Sequence, residues 1–277
     1  MHRYRWALRP GWIFSHIFVG ACVLVFVWCG FWQLGRLSDR RASNALITSR
    51  VTSQPVPVQQ VLSLDATTDQ IASTTFRQVV LTGTYKPSDE VLINNRTNDG
   101  SPGYWVATPL VLDDGTAVVV NRGWIPLPYG DEGSSPDVYR PPSGTVTVTG
   151  LVLDTQRQEG LGVSDPPDGT LSHLSRVDVP RLQKQVTERL YPAYVNLVTQ
   201  QPAQGVDGPR PVPPPVLDDG PHLNYAGQWF LFATMTCIVY PLLLRRTARH
   251  KEIDARQAAI DAAEAKETEG GELEPVS

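Results

Sequence analysis

The sequence predicts an α+β membrane protein, with two transmembrane helices flanking an extracytoplasmic, mainly antiparallel β-sheet or small barrel domain that carries one or two helices. Three observations predict it. Residues 12–34 and 226–244 are runs of 23 and 19 residues that contain no Asp, Glu, Lys or Arg. The chain between them alternates apolar and polar residues with the period of two expected of half-buried strands. All three cysteines, Cys22, Cys29 and Cys237, lie inside the apolar runs, so the intervening domain has no disulfide and depends on its core.

Residues 1–11 form a basic start with Arg3, Arg5 and Arg9. The first run, 12–34, rises about 35 Å as a helix and crosses the hydrocarbon. A signal peptide has a shorter apolar core and a small-residue cleavage site, whereas this run ends in bulky "FWQL"; it reads as a retained anchor. Cys22 and Cys29, seven apart, share a helix face and read as packing thiols rather than metal ligands. Beyond the span, "RLSDRRASNALITSRV" continues as helix until Pro55 and Pro57 stop it.

Residues 35–225, about 190 in number, are enough for one real core. Strands are expected at 76–85, 90–96, 103–112, 116–125, 145–153 and 193–200, where β-branched residues alternate between turn residues, with "DDG" at 113–115 making a hairpin. A helix is expected over "VDVPRLQKQVTERL", with Asp178 as its cap and Pro180 in its first turn. The stretches 127–144 and 201–220 read as surface loops, the second a proline-stiffened arm leading to the second span.

The second span, 226–244, is followed by Arg245, Arg246, Arg249 and Lys251 and then by a charged tail at 245–277, helical over "RHKEIDARQAAIDAAEAK" and fraying beyond it. Basic residues stay on the cytoplasmic side during insertion, which places both termini in the cytoplasm and the domain outside, in a multi-pass plasma-membrane protein. Arg36, Arg40 and Arg41 lie on the wrong side for this rule. The net charge of −4 over the whole chain hides an acidic C-terminal stretch, "DAAEAKETEGGELEPVS", and no basic face outside the membrane flanks suggests nucleic acid.

The domain contains no phosphate-binding loop, no nucleophile elbow, no zincin motif and no cysteine pair, so the chain is not expected to be an enzyme. Two histidines call for explanation. His16 sits one turn inside the cytoplasmic end of the first span and reads as reaching for the interface. His222 heads the second span at the other membrane face, roughly 25 Å away, so the two cannot share one iron. Within the domain, Arg96, Tyr104 and Trp105 surround a turn, and Arg122 and Trp124 end a strand where Gly123 permits unusual backbone geometry. Arginine beside tryptophan suits cation–π stacking or carboxylate binding, or else forms a structural corner of the sheet; this set is expected to be exposed.

The segments "FWQLGR", "FRQVVLTGTY" with "GSPGYWVATPL", "VNRGWIP" and "HLNYAGQWF", in that order and framing two spans, resemble the Surfeit locus 1 family of cytochrome c oxidase assembly proteins. The resemblance covers both spans and most of the first two thirds of the domain, but not the tail. It implies a membrane assembly factor for a heme-copper oxidase, assisting heme a insertion or stabilising the catalytic subunit. It also implies a transient heme a cofactor and oxidase subunits, within a respiratory supercomplex, as partners beside membrane lipid. Trp32, Gln33 and Arg36 match its first-span motif, Arg122, Gly123 and Trp124 its sheet motif, and His222 its histidine at the head of the second span, a candidate heme ligand. On the residues alone, His222 and Asn224 equally suit a cap on the second helix that hydrogen-bonds to Gln33 or Arg36, with Tyr225 and Trp229 as an interfacial aromatic belt. Two further readings are a permanent accessory subunit of the mature oxidase without heme transfer, and a small-ligand receptor domain, which lacks signalling machinery.

Overall fold

The computed structural model describes residues 5–127, 136–158 and 162–271. The chain divides into two units, residues 45–217 and residues 1–44 with 218–277. In the first unit, β1 (Val56–Pro57), β2 (Gln78–Tyr85), β3 (Val91–Asn98), β4 (Ser101–Leu112), β5 (Ala117–Pro126), β6 (Thr145–Asp154), β7 (His173–Leu174) and β8 (Leu190–Gln201) form one sheet. Its order is β1-β2-β6-β8-β5-β4-β3-β7, and an added pairing of β2 with β4 closes the five strands β2, β6, β8, β5 and β4 into a barrel. Pairing is antiparallel except at β1–β2, β3–β7 and β5–β8.

Closure is made by Gly83, Thr84 and Tyr85 opposite Leu112, Val111 and Leu110. A Cβ on Gly83 would lie 2.1 Å from the Val111 carbonyl oxygen, so only glycine lets the strands meet. Closure also removes free sheet edges that would otherwise pair with other chains. Because side chains alternate across a strand, β5 serves two cores. Val118 and Val120 pack inside the barrel with Leu81, Leu110, Val146 and Val148. Ala117 and Val119 face a second layer with Leu174, Val177 and Leu182.

Every expected strand is present, each within a few residues of its expected limits. The "DDG" turn is a hairpin in which Leu112 N donates to Thr116 O and Gly115 has φ +79°. The helix expected over residues 177–190 is a correction: α3 covers only Val179–Gln183. Asp178 Oδ1 caps it at 2.9 Å from Arg181 N, with Pro180 in the first turn. It ends early because the Gln183 side chain turns onto the following backbone, donating to Val186 O and Glu188 O and accepting from Leu190 N, which feeds the chain into β8. A second helix, α2 (Thr68–Thr74), was not anticipated; a capping box between Thr67 and Gln70 starts it. Of the expected loop at 127–144, residues 128–135 lie outside the described residues. The arm at 201–220 is more than a surface loop, since Arg210 forms a bridge with Trp124 of β5.

The other unit is built on α1 (Pro10–Val51) and α4 (His222–Gly271), whose apolar stretches are long enough to cross a membrane, at mean hydropathy 2.2 and 1.5. Both run well past the apolar spans, α1 ending ahead of Pro55 as expected and α4 carrying the tail as helix to Gly271. The helices meet at small residues. The Phe230 ring lies where a Cβ on Gly30 would be, 2.7 Å away, and Ala226 and Ala233 are buried. Without a hydrophobic drive in lipid, van der Waals packing of this kind at small residues is what holds spans together. Phe26 stacks on Trp229 at 5.8 Å, and Phe31 meets Phe230 edge-on at 5.4 Å.

Candidate functional site

At the head of α4, His222 Nδ1 lies 2.9 Å from Gln33 Oε1 on α1. An amide oxygen only accepts, so Nδ1 is the donor in this contact. The Nε2 edge faces Gly220, which has φ +68° and whose Cβ would stand 3.5 Å from Nε2. Metal-binding histidines are oriented by a hydrogen bond of this kind on the ring nitrogen that does not bind the metal.

The loop before His222 is tied to α1. Arg41 Nε donates to Asp219 Oδ2 at 2.8 Å, Asn44 Nδ2 and Arg40 Nε donate to Asp218 O at 2.8 and 3.2 Å, and Asp218 Oδ1 accepts from Gly220 N at 3.0 Å. Arg40 and Arg41, two of the three residues at odds with the inside-positive rule, are thus occupied as local clamps. Trp32 and Tyr225 are exposed at 52% and 47%, and Asn224 and Arg36 are also exposed. The alternative reading expected His222 to hydrogen-bond across to Gln33 or Arg36, and the bond to Gln33 is present. At the start of α4 the first-turn Tyr225 N–H is met by Pro221 O.

His16 lies toward the other end of α1. Its Nε2 donates to Ala7 O at 3.1 Å, so Nδ1 accepts from Tyr240 Oη at 2.6 Å, and Tyr240 in turn accepts from Ser15 Oγ at 2.9 Å. This chain joins the two helices, where the sequence suggested only contact with the interface.

The domain residues correct a second expectation. Arg122 is fully buried and Trp124 is 5% exposed. Arg122 follows Val118 and Val120 on the inner face of β5, at one end of the barrel, where Nη1 donates to Glu90 Oε2 at 2.9 Å and Nη2 to Tyr139 O at 2.7 Å. Thr108 Oγ1 also donates to Glu90, the Tyr85 ring lies 5.4 Å from the guanidinium, and Tyr85 Oη donates to Gln200 Oε1 at 2.9 Å. Burial pushes the Glu90 carboxyl up, opposed by Arg122 and Thr108, and pulls the Arg122 guanidinium down, opposed by Glu90. With its two terminal nitrogens engaged, Arg122 is a core residue and not a contact for an external carboxylate.

Trp124 Nε1 donates to Arg96 O at 3.1 Å, and its backbone pairs with Arg210 through Trp124 N to Arg210 O at 2.7 Å and Arg210 N to Trp124 O at 2.9 Å. Gly123 has φ +133°, and a Cβ there would lie 2.2 Å from Arg210 O. Arg96 stacks on Trp105 at 4.4 Å, the cation–π pairing that the residue types allowed. The sequence reading missed Glu90, Tyr85, Thr108 and Asp218–Asp219. A carboxylate at the head of a strand, such as Glu90, was the one available signal.

The SURF1 family profile matches residues 20–234. The chain belongs to the SURF1 family. An uncharacterized SURF1-like protein of Mycobacterium bovis is 30% identical over 242 residues, 86% of this chain and 85% of its own length. The cytochrome oxidase assembly protein SHY1 of Saccharomyces cerevisiae is 30% identical over 118 residues, 42% of this chain and 28% of its own. A SURF1-like protein of Rickettsia felis is 23% identical over 157 residues, 56% of this chain and 58% of its own. The region matched to the SURF1 family holds the Gln33–His222 junction and the Arg122–Glu90 pair, and leaves out His16, Tyr240 and the helical tail.

Proposed function

We propose that this SURF1 protein is a membrane assembly factor for a heme-copper cytochrome c oxidase, assisting heme a insertion or stabilising the catalytic subunit rather than turning over a substrate of its own. Family membership, joined to the likeness to a yeast protein named for cytochrome oxidase assembly, carries the reading. The protein acts at the plasma membrane with both termini cytoplasmic, on oxidase subunits of a respiratory supercomplex and among membrane lipid.

Heme a, as cargo, fits the helix junction on one count that is chemical. His222 has one nitrogen fixed by Gln33 and the other beside a residue without a side chain. In this reading His222 would hold the heme iron, Tyr225 and Trp32 would lie against its apolar body, and Arg36, three residues beyond Gln33 and so on the same stripe of α1, would meet a propionate. Arg122 and Trp124 act indirectly, by holding the barrel and the arm that leads to α4.

The test is to delete the gene and assay oxidase activity in isolated membranes. Loss of activity, restored by the wild-type gene, is expected; undiminished activity contradicts the proposal. A permanent accessory role has one observation in its favour, the extension of α4 well past residue 244 as a charged helix. Recovery of the protein in stoichiometric amount with mature oxidase, and without heme on the isolated chain, selects that role instead.

A further inference from the structure

A groove of about 340 Å³ opens on the helix pair, lined by Val19 of α1 and by Met235, Thr236, Val239, Tyr240 and Leu243 of α4. Its walls are apolar even where the residues are not. Thr236 Oγ1 donates to Phe232 O at 2.7 Å, and Tyr240 Oη is held by His16 and Ser15, so both hydroxyls in the lining are already bonded within the helix pair. On α4 the lining follows helical spacing, and the next positions on that stripe after Val239 and Leu243 are Arg246 and His250. Arg246 is exposed, with Arg245, Arg249 and Lys251 beside it, and no acid occurs on α4 before Glu252.

An apolar slot within the span that runs out directly onto a one-sign cluster of positive charge is complementary to an amphiphile with a long apolar tail and an anionic head. Basic sites between transmembrane helices take anionic headgroups on this principle. We propose that the groove is a binding site for an anionic phospholipid, its acyl chain against Val19, Val239 and Leu243 and its phosphate at Arg246. The site is separate from the His222 junction and does not depend on any role in oxidase assembly.

Native mass spectrometry of the full-length protein in detergent, with added phosphatidylglycerol or phosphatidylcholine of identical acyl chains, tests it. Phosphatidylglycerol is expected to be retained at least about fivefold better, the effect of roughly one favourable basic contact. Arg246→Gln should remove most of that preference while Arg246→Lys keeps it. Val239→Phe, which fills the groove, should lower retention of both lipids; Leu243→Phe serves as a second filling variant if Val239→Phe loses helix content by circular dichroism. Equal retention of the two lipids by the wild type overturns the proposal. So does full retention by a folded groove-filling variant, which would mean that the basic end collects headgroups without a site.

Discussion

At the scale of single residues, two polar contacts carry the account and they call for opposite experiments. The Gln33–His222 hydrogen bond orients the imidazole, and the proposed heme role rests on that orientation. His222→Ala is expected to abolish the Soret band that appears when heme a is added to the purified protein. Gln33→Ala, which only releases the ring, should weaken heme binding about 10-fold, the usual effect of removing the partner of a ligating histidine. Equal affinity of Gln33→Ala and wild type by spectrophotometric titration would show that the bond merely pins two helices. The Arg122–Glu90 pair is a stability arrangement. Glu90→Leu leaves a buried guanidinium without its carboxylate and is expected to cost about 3–5 kcal/mol, whereas adding Arg122→Met to it should recover most of the loss. Thermal unfolding of the single and double variants checks this, and a double variant no more stable than the single one counts against it.

At the scale of elements, β5 and its two neighbours on the chain decide the most. Gly123→Ala puts a Cβ 2.2 Å from Arg210 O at a positive φ, so it should push the arm off β5 at a cost of about 2 kcal/mol or more and expose residues 201–217 to limited proteolysis. An unchanged cleavage pattern would refute that coupling. The β4–β5 hairpin has a pH signature. Asp114 Oδ1 accepts from Thr116 N at 2.9 Å and from Thr116 Oγ1, which holds its carboxyl below the ordinary carboxylate range. A depressed folded pKa gives stability that is complete above the unfolded value near 3.9 and is lost as pH falls through the lower folded value. Asp114→Ala should therefore lower Tm at pH 7, and the difference from wild type should shrink as the pH is taken below the unfolded value near 3.9; a difference independent of pH would contradict it.

What could be read from the sequence at this scale follows from what is local. Strand positions were legible because alternation is written residue by residue, as in Ala117–Val120, and the hairpin was legible in "DDG". Barrel closure was not, because it rests on Gly83 meeting Val111 and Leu112 from a distant part of the chain. The burial of Arg122 was hidden for the same reason: its partner Glu90 lies 32 residues earlier, and only the closed sheet brings the two together. The length of α3 was misjudged since helical propensity continues past Gln183, but side-chain bonds from that residue redirect the backbone. The start of α2 was legible in principle from Thr67 and Gln70.

At the scale of the whole molecule, the order of four short motifs and two apolar spans placed the chain in its family, and the family profile spans the same stretch from the first span to the second. The polar junction was foreseen as a meeting of "FWQLGR" with "HLNY", and the structure places there a hydrogen bond between His222 and Gln33. The central proposal is that His222 serves heme a delivery to the oxidase. The measurement that tests it most directly is the heme a content per catalytic subunit of oxidase purified from a deletion strain carrying no copy, the wild-type gene, or the His222→Ala variant. Low occupancy without the gene, full occupancy with the wild type and low occupancy with normally expressed His222→Ala is the predicted result; full heme a occupancy in the absence of the protein would contradict it.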